Sequence, residues 1–203
     1  MIGGSFMSKN TSSESTSVEE EKFSAFDEFL DWVEAFVLAL FAVIIIFIFF
    51  LRIVEVSGPS MNPTLTDKDR LILTHLNYTP ERGDIIVANS PGLSKCIIKR
   101  CIGVAGDTVV VDYNNNTVTV NGEKIQEDYI NEKMKDTGSF DRSFLTAKNV
   151  YTYKVPEGTV FAMGDNRNHS ADSRSVYVGF IKLEDILGKA IFRFLPFSGF
   201  GSI

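Results

Sequence analysis

The 203-residue sequence has few residues for metal or disulfide chemistry: two cysteines, two histidines and one tryptophan. Two cysteines exclude a disulfide-dense scaffold, and two histidines exclude a three-histidine metal site. No cofactor or metal is expected. Net positive charge is also lacking, since 26 acidic side chains face 20 basic ones. The imbalance sits at one end: residues 1–51 hold eight acids and two bases, whereas 52–203 hold eighteen of each. A charge-balanced C-terminal portion argues against an electrostatic nucleic-acid binder, which needs a net basic face to displace phosphate counterions, so no nucleic acid is expected as a partner. The length suits one folded domain of about 150 residues plus an appendage.

The two charge regimes meet at an apolar run. From Ala35 to Leu51, seventeen residues pass without a polar side chain. As helix they extend about 25 Å, close to the roughly 30 Å hydrocarbon core, and Trp32 and Val33 lengthen the span. Buried core helices rarely run so far without a polar face. A cleavable signal segment would be shorter, with a basic front and small residues behind, whereas Phe49, Phe50, Leu51 and Arg52 follow here. The sequence thus predicts one N-terminal transmembrane helix over 32–51, behind an acidic, low-complexity, disordered tail over 1–31. Flanking bases (Lys22 before; Arg52, Lys68 and Arg70 behind) favour the C-terminal part inside, but long domains translocate largely regardless of charge.

After Arg52 the pattern becomes short β-branched, alternating segments broken by Gly, Pro and Asn, predicting a mainly β domain over 52–203. Strands are expected at Ile53–Val56, Asp69–Thr74, Asp84–Ala88, Cys96–Val104, Thr108–Tyr113, Thr117–Val120, Thr159–Met163 and Lys189–Phe194. Asn114-Asn115-Asn116 and Asn121-Gly122 are turn signals. The more polar stretch from about 125 to 153 reads as an irregular insertion.

Three segments carry chemistry. In S-G-P-S-M-N-P-T-L, Ser57–Leu65, Gly58, Pro59 and Pro63 break regular structure and present Ser60 on a bent backbone. In C-I-I-K-R-C-I-G-V-A-G-D, Cys96–Asp107, strand alternation puts Ile97, Lys99 and Cys101 on one face and Cys96, Ile98 and Arg100 on the other. Burial of Lys99 would favour its neutral form, able to take a proton from serine; an edge lysine would instead reach out to water. Five strand residues, roughly 16 Å, argue against a Cys96–Cys101 disulfide. The third segment, G-D-N-R-N-H-S-A-D-S-R, Gly164–Arg174, is a tight polar loop. There Asp172 can pair with Arg174 or Arg100, and Ser170 can donate to an inward lysine. His169 invites a Ser-His-Asp triad, but its polar flanks read as a solvated loop, and His75 has no matching acid pattern.

In this order after one anchor, the three motifs closely resemble the boxes of bacterial type I signal peptidases, over Ser57–Arg174. The small size and single anchor resemble the Gram-positive version. The resemblance implies a signal-peptidase-like β catalytic domain with an inserted subdomain, and a membrane-bound serine endopeptidase that cleaves signal peptides from exported preproteins. Residue by residue, Ser60 matches the nucleophile, Lys99 the general base and Ser170 the hydroxyl that orients the lysine. Asp172 and Arg174 match the pair that braces the site, Arg100 follows the base as in the family, and Met61 and Pro63 belong to the conformational part of the first box. Some members carry a serine where Gly58 stands, which leaves the Ser60 N–H as the main oxyanion donor. The implied partners are preprotein signal peptides, the lipid bilayer and the neighbouring secretion translocon. The implied location is the plasma membrane, with the N-terminus cytoplasmic and the catalytic domain outside. Only seven residues separate Arg52 from Ser60, which keeps the serine within about 28 Å of the anchor's end. The aromatic stretch Phe192–Phe200 either dips into the lipid interface or packs in the fold. A self-cleaving Ser/Lys repressor would need a DNA-binding helical domain in place of the anchor, and a non-catalytic scaffold would not need Lys99.

Overall fold

The computed structural model describes residues 25–76, 78–136 and 138–203, and side chains are not described for 25 and 46–51. Most of the expected tail, residues 1–24, lies outside this set. The chain divides into two compact units, 1–43 and 44–203.

Helix α1 spans Ala25–Phe50, 26 residues with Asp27 and Glu28 in the first turn. These acids favour the partial positive charge of a helix N-terminus. Its described side chains are exposed, including the large apolar ones at Phe36, Leu38 and Phe41. Among the described residues no helix is long and apolar enough to cross a membrane, so the anchor rests on the sequence.

After α1 the described residues of the second unit form β-strands with four short 3-10 turns between them, and the strands are numbered in chain order. Strand β1 spans Leu51–Glu55, β2 Arg70–Thr74, β3 Ile85–Ser90, β4 Lys95–Val104, β5 Thr108–Asp112, β6 Thr117–Val120 and β7 Glu123–Lys124. Then follow β8 Leu145–Ala147, β9 Val150–Lys154, β10 Thr159–Met163, β11 Ile181–Lys182, β12 Ile186–Leu195 and β13 Gly201–Ser202. One sheet has eight strands in the order β1-β2-β12-β3-β4-β10-β11, with β13 beside β12; the other has five, β7-β6-β5-β9-β8. All pairings are antiparallel.

Alternation explains the second sheet. In β5, β6 and β9 every other residue is buried, placing Val109, Val111, Val118, Val120, Tyr151 and Tyr153 in one core with Phe161 and Met163 of β10. Strands β8 and β9 fall within the stretch expected to be irregular, and β9 lies between β5 and β8. Its V-Y-T-Y-K pattern is alternating, but surrounding polar residues masked it in the sequence. The turn signals fall where β5 meets β6 and β6 meets β7, with Asn116 and Asn121 at φ +54°.

The larger sheet holds a second core, Val56, Met61, Leu65, Leu71, Leu73, Ile85, Val87 and Ala190. Met61 and Leu65 drive the loop after β1 into that core, the packing role expected of Met61, whereas Pro63 stays exposed. Close to the chain's end, the Phe192 and Phe200 rings meet edge to face at 4.8 Å, and Phe197 stands exposed.

Candidate active site

Ser60 stands on a turn that the sequence ties down on both sides. Asn62 N–H donates to Pro59 O at 3.1 Å and Leu65 N–H to Met61 O at 3.0 Å, while Val56 N–H reaches Asp69 O at 2.8 Å. Gly58 takes φ +87°, a region that favours glycine, and its N–H donates to Asp67 Oδ1 at 2.8 Å.

Strand β4 supplies the partner. Ile97, Lys99 and Cys101 share its buried face, as alternation required. Lys99 is only 3% exposed, and its Nζ lies 2.8 Å from Ser60 Oγ and 2.6 Å from Ile98 O. Burial pushes its ammonium down to about 8, against a smaller opposing pull from Asp172. The edge-lysine alternative is thereby excluded, because the amine points into the protein.

The 164–174 loop clamps this pair. Asn166 N–H and Nδ2 donate to Ser60 O and Pro59 O, both at 3.1 Å. A Cβ at Gly164 would come within 2.4 Å of Ser60 O and 2.3 Å of Ser170 Oγ, so the loop approaches this closely only with glycine there. Of the two pairings open to Asp172, the structure takes Arg174: Nε meets Oδ1 and Nη2 meets Oδ2, both at 2.8 Å, with both side chains fully buried. Burial alone would raise the Asp172 carboxyl, but the Arg174 guanidinium outweighs it and holds the group below its usual range. Asp172 also accepts from Gly164 N–H at 3.0 Å, which fixes the loop's first residue.

Arg100 pairs instead with Asp165, through Nε–Oδ1 at 2.9 Å and Nη2–Oδ2 at 2.7 Å, and Thr64 Oγ1 donates to the same carboxylate at 2.6 Å. Asp165 therefore links the serine turn, through Thr64, to the strand position beside Lys99. Sequence reading missed it; the acid directly after Gly164 was the only signal. Buried Arg167, held by Glu127 and by Gly164 O, was missed as well, because its partner lies 40 residues away in a segment without local pattern.

The expected Ser170–Lys99 hydrogen bond is not made. Ser170 Oγ is buried without a hydrogen-bond partner of good geometry, beside Asp172, whose ionised form it helps to hold. His169 is exposed on the rim and makes no catalytic contact, as its polar flanks suggested. Cys96 is exposed, Cys101 buried, and both are free thiols.

Ser60 and Lys99 open into a groove of about 470 Å³, walled by Val54, Val56, Val87, Ile98 and Leu187. A buried amine within hydrogen-bond reach of a serine hydroxyl, beside an apolar groove, is suited to acyl transfer.

Comparison with known proteins agrees. Residues 29–195 match the family described as signal peptidase, peptidase S26. Signal peptidase IB of Staphylococcus aureus is 35% identical over 182 residues, covering 85% of this chain and 93% of that protein. Signal peptidase I P of Bacillus subtilis subsp. natto is 36% identical over 170 residues, covering 82% and 89%. A crystal structure of a signal peptidase I from Enterococcus faecalis V583 is 33% identical and covers 55% of this chain and 97% of that one, with a TM-score of 0.42. The chain belongs to the signal peptidase family, peptidase S26, and is a bacterial enzyme of the type I class, a serine protease hydrolase.

Proposed function

We propose that the enzyme cuts signal peptides from exported preproteins with Ser60 as nucleophile and Lys99 as general base. The observation that carries this reading is the 2.8 Å approach of Lys99 Nζ to Ser60 Oγ in surroundings that disfavour the ammonium. Neutral Lys99 takes the Ser60 proton while Oγ attacks the scissile carbonyl carbon. The resulting oxyanion is met by the Ser60 N–H, with Gly58 offering no side-chain hydroxyl. As the C–N bond breaks, Lys99 returns its proton to the leaving amine, and the signal peptide's carboxyl end remains as an ester on Ser60. Lys99 next takes a proton from water, whose oxygen attacks the ester; the C–Oγ bond breaks and Ser60 recovers its proton.

Ser170 belongs to this machinery as the hydroxyl that orients Lys99. Asp172–Arg174 and Arg100–Asp165 act as positioning pairs. The shallow apolar groove admits small side chains beside the scissile bond. We also place 32–51 in the plasma membrane as a single anchor, with the acidic tail of 1–31 cytoplasmic and residues 52–203 outside, at the membrane surface near the translocon where preproteins emerge. The apolar run of the sequence from Ala35 to Leu51 supports an anchor.

The test is cleavage of a preprotein by the full chain in detergent. Ser60→Ala and Lys99→Ala should each lower kcat by at least about a thousandfold with fold retained. Wild-type rates in either variant would refute the dyad.

A further inference from the structure

The groove continues past the catalytic pair along β4. Lys95–Lys99 pair with β3 on one edge, through registers from Lys95↔Ser90 to Lys99↔Ile86. On the other edge, β10 joins β4 only at Arg100–Val104, so among the described residues no strand covers 95–99 there. Across the groove β1 pairs with β2 alone. Two open strand edges thus flank the space in front of Ser60, an arrangement that takes an extended chain.

Charge along this groove is uneven. Its walls are apolar, and its charged lining side chains are Glu55, Lys95 and Lys99, with His169 on the rim. Glu55 is paired with Arg70, at 3.2 Å. Lys99 is buried beside Ser60. Lys95 is exposed and forms no ion pair among the described residues. It therefore carries an uncompensated charge into the groove, on the same strand face as the base and four residues before it. Four strand residues span about 13 Å, so an extended substrate lying along β4 reaches Lys95 about four residues from its scissile bond.

We infer that Lys95 is a specificity-determining residue that reads the charge of the substrate about four residues from the cut, favouring an acidic side chain and opposing a basic one. This rests on the cleavage reading above and deepens it. Alongside the dominant effect of burial, Lys95 also lies near enough to help disfavour a proton on Lys99, consistent with its charge being felt inside the groove.

The test is a charge scan. Peptides spanning a signal-peptide cleavage site carry Glu, Ala or Lys singly at each of positions three to six on either side of the bond. They are cut by the detergent-solubilised full chain, as wild type and as Lys95→Glu, and the readout is the ratio of kcat/KM for Glu against Lys peptides within each protein. At one position, on one side of the bond, wild type should prefer Glu by about two- to fivefold, and Lys95→Glu should reverse that order. Both preferences should shrink at 1 M salt. A ratio that Lys95→Glu leaves unchanged at every position overturns the inference while leaving the Ser60–Lys99 reading intact. Failure of wild type to cut any peptide, including the Ala series, would instead strike the cleavage reading itself.

Discussion

Lys99 is the base in the proposed mechanism, and its burial has a cost that stability measurements can read. Its folded value of about 8 lies below the ordinary 10.5. Below about pH 8 both folded and unfolded chains hold the proton, and the folded one bears the full penalty of a buried ammonium. Between those two values the unfolded chain binds more protons, so stability rises with pH; above 10.5 the penalty is gone. Lys99→Met, close in shape and uncharged, should therefore stabilise the inactive protein at pH 7 by about 3 kcal/mol, a gain that thermal unfolding shows vanishing by pH 11. A gain independent of pH would point to packing instead. Gly164 is the opposite case, a residue that acts by lacking atoms. Gly164→Ala drives a methyl group against Ser60 O and Ser170 Oγ. It should cost about 1–3 kcal/mol in unfolding and more than tenfold in kcat with little change in KM, since Ser60, the proposed nucleophile, is displaced before the groove is.

Among the elements, the 164–174 loop bears most of the positioning. Asp172 holds Arg174 by three hydrogen bonds, from Nε, Nη2 and the backbone N–H, and the loop's first residue by a fourth. Asp172→Asn keeps the shape and leaves a buried guanidinium unpaired, which should destabilise the fold by about 3–5 kcal/mol in denaturant titration. Asp172 also favours the charged form of Lys99, so in whatever folded fraction remains the acid limb of the rate profile should move to lower pH. The elements differ in how plainly the sequence announced them. Strand β4 was legible because its apolar, β-branched run is long, and within it Ile97, Lys99 and Cys101 alternate with the more exposed Ile98 and Arg100. Strand β9 was hidden because five alternating residues sit in a polar stretch, and its burial comes from β5, about forty residues away in sequence. The same distance effect hid the Arg100–Asp165 and Arg167–Glu127 pairs. A carboxylate's partner is chosen by the fold, and nothing local distinguished Asp165 from Asp172.

For the whole molecule, the charge division at residue 51 is the feature most directly tied to location. An acidic tail kept inside, with Arg52, Lys68 and Arg70 sent outside, opposes the usual bias of flanking bases. Protease added to intact cells should spare the tail, and the same protease on inverted vesicles should remove it; digestion from outside would reverse the proposed topology. Each of the three motifs is legible in the sequence because its residues lie close together along the chain. Their convergence on one groove is not, since it depends on β4, β10 and the loop after β1 meeting in space.

The central claim is that neutral Lys99 activates Ser60, and the pH dependence of kcat/KM for the wild-type enzyme on a preprotein tests it most directly. With a base held at about 8, activity should rise roughly tenfold per pH unit below that value and level off above it. A profile that is flat from pH 6 to 9, with the enzyme folded throughout, would contradict a lysine base at this site.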